Sequence, residues 1–215
     1  MDAKDIIISD DMSFLILNCE IKKLYQPDIF GISPIWENDQ FFEYNSIFEI
    51  KEYQLYLKSF TITADRGYPA INGIKPELLF SEKGIETVQY SDVMVPIKFT
   101  GAAVIGNTMI KNYGFDEIPC YSYKVVRELI FQDGKVVTTI DHSKAMLRIR
   151  KNLDLGLRTL NKTRDIKCIK YYIKSSFVGD YEHPEKINKS KKNKKIQFNS
   201  YLQKIKSYYS RIKAL

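Results

Sequence analysis

Cysteine and histidine are scarce in this sequence, whose 215 residues include only three cysteines and two histidines. The cysteines, Cys19, Cys120 and Cys168, are far apart and form no CxxC pair, so neither a zinc site nor a redox pair is predicted. We interpret all three as reduced and mostly buried thiols. No spacing of carboxylates predicts a metal site either, so no metal and no cofactor is expected.

Long apolar runs are absent as well. No window approaches the roughly 18 apolar residues of a membrane-spanning helix. The first residues, MDAKDIIISDD, have neither the basic region nor the apolar stretch of a signal peptide, so a cytoplasmic location is expected. The hydrophobic fraction of 44% and the aromatic fraction of 13% are typical of a globular chain with a sizeable core.

No catalytic signature is present in the sequence. Asp141, His142 and Ser143 are the residue types of a nucleophilic triad, but neighbours in sequence seldom point at one another as that chemistry requires. We interpret them as the end of a strand and the start of a helix, where Asp and Ser serve as caps. Arg127 and Glu128 are either a cross-strand ion pair or site residues. No catalytic residue is predicted, and an enzyme without a recognisable motif is kept only as a third hypothesis.

Charge is distributed unevenly along the chain. Residues 1–140 hold 13 Lys and Arg against 20 Asp and Glu, a balance of −7. Residues 141–215 hold 20 against 6, a balance of +14, and the whole chain therefore carries +7. Such asymmetry can mark a surface for nucleic acid or for an acidic partner. It can equally mean that the basic part docks on the acidic part of the same molecule or of a second copy.

Aromatic and β-branched residues predict an antiparallel sheet in the first 140 residues. Its centre is the stretch 41–60, FFEYNSIFEIKEYQLYLKSF, which predicts a β-hairpin with its turn near Lys51 and Glu52. Asp133-Gly134 is the clearest hairpin turn in the chain. Further strands are predicted at Ile6–Ile8, Ser13–Cys19, Val93–Phe99, Tyr123–Phe131 and Lys135–Ile140. The small residues Ala102–Ile105 are interpreted as a bulged or closely packed continuation of the Val93–Phe99 strand.

Loops are predicted where proline and glycine recur, over residues 24–40 and again after the central hairpin. In the second loop, Asn72-Gly73 predicts a reversal over residues 70–74 at the sheet edge. Binding residues concentrate on loops that a rigid scaffold holds, so this loop is a candidate contact site. A plain turn is the alternative interpretation.

From Ser143 onward the spacing of apolar residues indicates helices, with Ser143 available as the N-cap. One stripe consists of Met146, Ile149, Leu153, Leu157 and Leu160, and a second of Ile166, Ile169, Ile173 and Phe177. We predict an α+β domain over residues 1–180, β-rich in 1–140 and with two helices in 143–178. Its antiparallel sheet is sandwich-like or a half-barrel and is followed by the helices. Residues 181–197 are predicted to be a basic linker and residues 198–215 an amphipathic helix.

Four segments in order, YNSIFEIKEYQLYLKSF, YPAINGIKP, VPIKFTGAAVIGN and ELIFQDGKVV, carry a resemblance to a known family. They resemble small, mostly uncharacterised β-rich bacterial proteins, some of which are encoded beside secreted or polymorphic toxins. The resemblance covers residues 36–140 and implies an immunity-like or accessory binding protein. It carries over no catalytic residue. Where the family pattern often has tryptophan and glycine in the first strand, this chain has Tyr44 and Ser46.

The preferred hypothesis is a non-enzymatic bacterial protein that binds a protein partner through its acidic, β-rich part. A basic toxin is one such partner, because a negative surface would steer it and mask its basic site. Self-association is the other possibility. The predicted contacts are Asp65, Arg66, Tyr68, Asn72, Asp116 and Glu117.

The alternative hypothesis is a nucleic-acid-associated accessory protein that uses its basic C-terminal region. Lysines neutralise phosphates and aromatic side chains stack on bases, but no recognised nucleic-acid-binding module is present. Membrane binding is disfavoured because the linker and the last helix contain no tryptophan. The residues predicted for this alternative are Lys189, Lys191, Lys192, Lys194, Lys195, Lys204 and Arg211.

Overall fold

The computed structural model describes most of the chain up to Tyr181. The described residues are 5–21, 23–33, 36–37, 40–41, 44–64, 67–82, 85–113, 118–155, 162–179 and 181. The predicted terminal helix, and all but the first residue of the predicted linker, lie outside these residues and stay predictions.

Within the described residues, strands fill the first two thirds of the chain and helices follow. The strands are β1 (Ile6–Ser9), β2 (Met12–Cys19), β3 (Trp36–Glu37), β4 (Gln40–Phe41), β5 (Asn45–Lys51), β6 (Gln54–Ala64), β7 (Glu77–Glu82), β8 (Ile85–Tyr90), β9 (Val95–Pro96), β10 (Gly101–Met109), β11 (Tyr123–Gln132) and β12 (Lys135–Asp141). The helices are α1 (Ser143–Asp154) and α2 (Lys162–Ser176), and short 3-10 turns occupy Pro27–Phe30 and Cys120–Ser122.

The main sheet has the strand order β12-β11-β10-β2-β1-β5-β6-β8-β7, with β9 paired to β6. Its pairings are antiparallel except for that of β1 with β5, which is parallel. The first strand in this order, β12, also pairs with β6, through Lys135 and Gln54. The sheet therefore curves back on itself. The predicted α+β class, an antiparallel sheet followed by C-terminal helices, is confirmed, and the parallel pair is the one difference in strand direction among the described strands.

The central hairpin forms as predicted, from β5 and β6, and it contains a bulge that explains its apolar pattern. Ile47 pairs with Ser59 and Phe48 with Leu57, so Lys58 is one extra residue in β6. Buried positions accordingly change from odd to even numbers along β6. The buried residues are Leu55 and Leu57 before the bulge and Phe60, Ile62 and Ala64 after it. The bulge thus keeps one face of a long strand directed at the core.

Three regions differ from the prediction. The loop predicted over residues 24–40 contains strand β3, which pairs with β4. Strands β7 and β8 were not predicted, because glycine and proline recur in the sequence before them. Strand β7 lies at the edge of the sheet and leaves Leu78 and Phe80 exposed. The strand predicted over Val93–Phe99 is wrong in extent, because only Val95–Pro96 pairs as a strand. Positive φ angles at Asp92 (54°) and Met94 (47°) interrupt the extended backbone.

Helix α1 packs on β11, and the two helices share a hydrophobic cluster with β10 and β11 that lies apart from the main core. Its members from the helical region include Met146, Ile149, Ile173 and Phe177. Strand β10 is buried on both faces, since Ala103 and Ile105 belong to the main core whereas Val104 belongs to the helix-side cluster. The described residues of both predicted stripes therefore face the sheet. Helix α1 ends at Asp154, and Leu157 and Leu160 of the first stripe lie outside the described residues.

Candidate functional site

The loop predicted to contact a partner is held to the sheet by two of its own side chains. The hydroxyl oxygen of Tyr68 lies 2.7 Å from the carbonyl oxygen of Ala64 and 2.8 Å from that of Glu86. The amide of Asn72 donates to the carbonyl oxygen of Val93 at 2.8 Å, and Asn72 (φ 48°) and Gly73 (φ 80°) form the predicted reversal. Both side chains thus have contacts that fix the loop.

The other predicted protein contacts, Asp65, Arg66, Asp116 and Glu117, lie outside the described residues. The same holds for every residue of the nucleic-acid alternative from Lys189 to Arg211. These assignments stay predictions.

A different acidic surface lies where the β1–β2 and β5–β6 turns meet β11 and β12. A groove of about 540 Å³ opens there, and we call it the acidic groove. Its polar lining residues are Ser9, Asp10, Glu52, Tyr53, Arg127, Thr139 and Asp141, and its apolar ones are Ile50, Leu129 and Val136. Sequence reasoning missed this site because its residues come from four separate segments.

The groove carries three carboxylates and one cation. The guanidinium of Arg127 donates to Asp10 Oδ2 at 2.9 Å and lies 5.3 Å from the centre of the Phe14 ring. Asp141 Oδ1 accepts a hydrogen bond from the backbone N–H of Ser143 at 2.8 Å. Hydrogen bonds from the hydroxyl and the backbone of Ser143, together with the charge of Arg127, lower the pKa of Asp141. The groove is therefore negative at neutral pH.

The two turns beside the groove have an unusual backbone. Asp10 and Asp11 have φ angles of 50° and 57°, and Glu52 and Tyr53 have φ angles of 50° and 65°. Asp tolerates the left-handed region, whereas for Glu and Tyr it costs about 1–2 kcal/mol each. A turn selected for folding alone would favour Asn-Gly. Because strain of this kind concentrates at functional sites, Glu52 and Tyr53 are candidates for binding residues.

Tyr53 is exposed, but its backbone is fixed. Its side chain is 75% exposed to solvent. Its carbonyl oxygen accepts a hydrogen bond from the N–H of Val136 in β12 at 2.8 Å. The turn therefore presents an aromatic ring to solvent at a defined position above the groove.

Arg127 and Glu128, which the sequence left open, point to opposite faces of β11. Glu128 is fully buried on the helix side, where Oε2 lies 3.0 Å from Nε2 of His142. The Glu128 carboxylate also accepts hydrogen bonds from the N–H groups of Val178 and Gly179, at 2.9 and 2.8 Å. Three partners satisfy this carboxylate, so we assign it a structural role.

Two residues of the apparent triad, Asp141 and Ser143, contact each other, whereas His142 contacts a residue outside it. His142 binds Glu128 and occupies the N-cap position of α1, so the predicted cap at Ser143 is wrong by one residue. The hydroxyl of Ser143 instead accepts a hydrogen bond from the N–H of Val126 at 3.1 Å. Asp141 binds the N–H of Ser143, which is a capping contact as predicted. The imidazole of His142, the base of such a triad, is thus bound to Glu128 and not to the hydroxyl of Ser143.

The cysteines differ in environment, so the interpretation as mostly buried thiols is only partly correct. All three are free, but Cys120 alone is buried, Cys19 is half-buried and Cys168 is exposed. Burial raises the pKa of the Cys120 thiol to about 12, and it also raises the pKa of Cys19. Because the thiolate is the reactive form, Cys120 is an inert thiol in the folded protein.

Within the described part of the chain, no group of three or more His, Cys, Asp and Glu side chains is arranged to hold a metal ion. Neither described helix combines the length and the apolar character that crossing a bilayer would need. Comparison of the chain with protein-family models, with curated proteins and with solved structures finds no match.

Proposed function

We propose that this chain is a non-enzymatic binding protein whose acidic groove receives a basic segment of a partner protein. The observation that carries the proposal is the exposed ring of Tyr53, held on a strained turn beside the carboxylates of Asp10, Glu52 and Asp141. A cation that enters such a groove gains an ion pair and a contact with an aromatic face at once.

Arg127 supports this chemistry from within the chain. Its guanidinium lies between the carboxylate of Asp10 and the ring of Phe14. A partner's Lys or Arg side chain would make the same pair of contacts with Glu52 or Asp141 and with Tyr53. A basic toxin is one partner of this type. The family resemblance implies an immunity-like protein, and a bacterial, cytoplasmic protein of that kind is the corresponding biological role.

The first test uses an arginine-rich peptide as a defined basic probe of the full-length chain. Titration should shift the NMR signals of Tyr53. The double variant Glu52→Lys, Tyr53→Ala should bind the peptide at least about 10-fold more weakly, a loss of about 1.4 kcal/mol. The control is Glu77→Lys, which makes the same charge change at an exposed residue of β7 and should leave the affinity nearly unchanged.

The second test seeks the partner itself. A photoreactive amino acid replaces Tyr53 in one variant and the exposed Leu78 in another, and both are crosslinked in cells of the native host. A basic protein crosslinked at position 53 but not at position 78 supports the proposal. Equal peptide binding by the groove variant and the wild type, together with no specific crosslink at position 53, contradicts it.

A further inference from the structure

The two helices present a second surface, which is opposite in charge to the acidic groove. In α1, the exposed Lys144, Arg148 and Lys151 are spaced by four and three residues. Residues at these spacings share one helical face, and this face is directed away from the buried Met146 and Ile149.

Helix α2 repeats the arrangement and adds an aromatic residue. Arg164, Lys167, Tyr171 and Lys174 are spaced by three, four and three residues, and all four are exposed. Tyr171 is 78% exposed, so burial in the core does not explain its presence in the middle of a cationic stripe. We call the two stripes together the basic helical face.

Carboxylates are few within the described helices themselves. The described helices hold nine Lys and Arg residues, of which Arg150 is buried, against two Asp residues. Asp154 is bound to Lys111 of the sheet, with Nζ to Oδ1 at 2.7 Å, and Asp165 is buried between the helices. The outward faces therefore carry a strong positive charge.

A cleft of about 290 Å³ separates the two helices. Ile149 and Ile169 supply apolar lining, and Tyr172, which is 43% exposed, contributes an aromatic side chain. Arg148 and Asn152 supply polar groups from the α1 side. The cleft thus combines apolar and aromatic surface with an amide that can pair with the polar edge of a nucleobase.

We propose that the basic helical face binds single-stranded nucleic acid. Phosphates lie along the Lys and Arg stripes, one base stacks on Tyr171, and a neighbouring base enters the cleft beside Tyr172. Cations that follow a backbone and exposed aromatic rings that stack on bases are the two components of sequence-tolerant single-strand binding. An acidic protein would use the cations but would leave both tyrosines without a role.

The site differs from the one predicted between Lys189 and Arg211, since it lies wholly on described residues of α1 and α2. None of its residues lines the acidic groove. Binding of nucleic acid and binding of a basic protein are therefore separate properties, and each is tested by its own variants.

The test measures fluorescence anisotropy of the full-length chain with labelled single strands of about 20 nucleotides, longer than the footprint of a typical single-strand site. Oligo-dT and oligo-U distinguish DNA from RNA, and a duplex of equal length and polyglutamate serve as competitors. Tyr171→Ala should weaken binding about 5-fold to 100-fold, the effect of losing one stacked base. Tyr171→Phe keeps the ring and should bind as the wild type does.

Charge is tested through the salt dependence of binding. The double variant Lys144→Gln, Lys151→Gln should lower the slope of log affinity against log salt by about 0.7 for each phosphate that the variant no longer neutralises. The control variant Lys98→Gln, Lys124→Gln removes two exposed lysines of the sheet region and should leave the slope unchanged.

Three outcomes overturn the proposal. The first is that the double variant Lys144→Gln, Lys151→Gln keeps the wild-type salt slope and Tyr171→Ala keeps the wild-type affinity. Binding would then be assigned to the basic region between Lys189 and Arg211. The second is that polyglutamate competes as well as an unlabelled single strand does, which would show that the basic helical face binds any polyanion. The third is that a duplex binds as tightly as a single strand, which would show that no base stacks on Tyr171.

Discussion

The buried carboxylate of Glu128 lies 3.0 Å from Nε2 of His142 and joins the sheet to both helices. His142 begins α1, and the two other partners of the carboxylate, Val178 and Gly179, follow α2. Gly179 is suited to this position because a Cβ atom there would lie 2.6 Å from the Cβ of Ala102. One side chain of β11 thus holds the elements that form the basic helical face.

We expect Glu128→Ala to destabilise the fold by about 2–6 kcal/mol, since each of two donors left without its acceptor costs about 1–3 kcal/mol. The variant leaves the N–H groups of Val178 and Gly179 without their acceptor. Urea unfolding, followed by circular dichroism, measures the change in the free energy of unfolding.

Lys111→Gln is the control for this measurement, because it breaks an ion pair in which both side chains are about half exposed. We expect a much smaller loss of stability, since exposed ion pairs contribute little. Similar losses in the two variants would show that Glu128 does not hold the helices.

Gly134 and Gly73 provide a matched pair, since both have a φ angle of +80°. A Cβ atom at Gly73 would meet nothing within 4 Å, whereas one at Gly134 would overlap the carbonyl oxygen of Ile97. Gly73→Ala should therefore cost about 1–2 kcal/mol, the penalty of the left-handed backbone alone. Gly134→Ala should cost at least about 2 kcal/mol more, because the β11–β12 turn must move away from its neighbours. Equal changes in the midpoint of thermal unfolding would contradict this packing.

Local features were predictable from the sequence. The turn at Asp133-Gly134 and the stripe through Ile173 and Phe177 depend on residues within a few positions of one another, and both occur where predicted. Strand β8 also alternates buried and partly exposed residues, but the glycines and prolines before it obscure the signal. Its neighbour β7 has Leu78, Leu79 and Phe80 in a row, without the alternation that indicates a strand with one buried face.

Non-local features were not predictable. The parallel pairing of β1 with β5 is set by the order of strands in the sheet, which no local spacing encodes. The acidic groove joins the β1–β2 turn to the β5–β6 turn and to two strands that follow much later in the chain. Glu128 likewise finds Gly179, 51 residues away. Single residues of each set stand out in the sequence, but only the fold brings them together.

Thiol reactivity should distinguish the three cysteines. Cys168 is exposed on α2 and should react with a chromogenic disulfide reagent in the folded protein at the rate of a free thiol. Cys19 should react more slowly, and Cys120 only after denaturant is added, because burial raises the pKa of both thiols. Mass spectrometry of the labelled protein assigns each phase. Early labelling of Cys120 would contradict the packing of the helix-side cluster.

Alkaline pH should destabilise the fold through its buried tyrosines. The hydroxyl of Tyr90 donates to the carbonyl oxygen of Pro69 at 2.8 Å, and that of Tyr44 donates to the carbonyl oxygen of Tyr25 at the same distance. Burial raises the pKa of each to about 12, above the ordinary value of 10.0. A folded pKa above the unfolded one contributes stability that is complete below pH 10 and is lost as pH rises towards 12.

Tyr90→Phe tests this origin of the pH dependence. At neutral pH the variant should be less stable than the wild type, because the Pro69 carbonyl loses its donor. Phenylalanine does not ionise, so the difference should shrink as pH rises above 10, where keeping Tyr90 neutral costs the wild type free energy. Urea unfolding of both proteins at pH values between 9 and 12 measures the difference, and tyrosinate absorbance follows ionisation directly. A constant difference across this range would mean that Tyr90 ionises equally well in the folded and unfolded chains, and that its burial carries no cost for the anion.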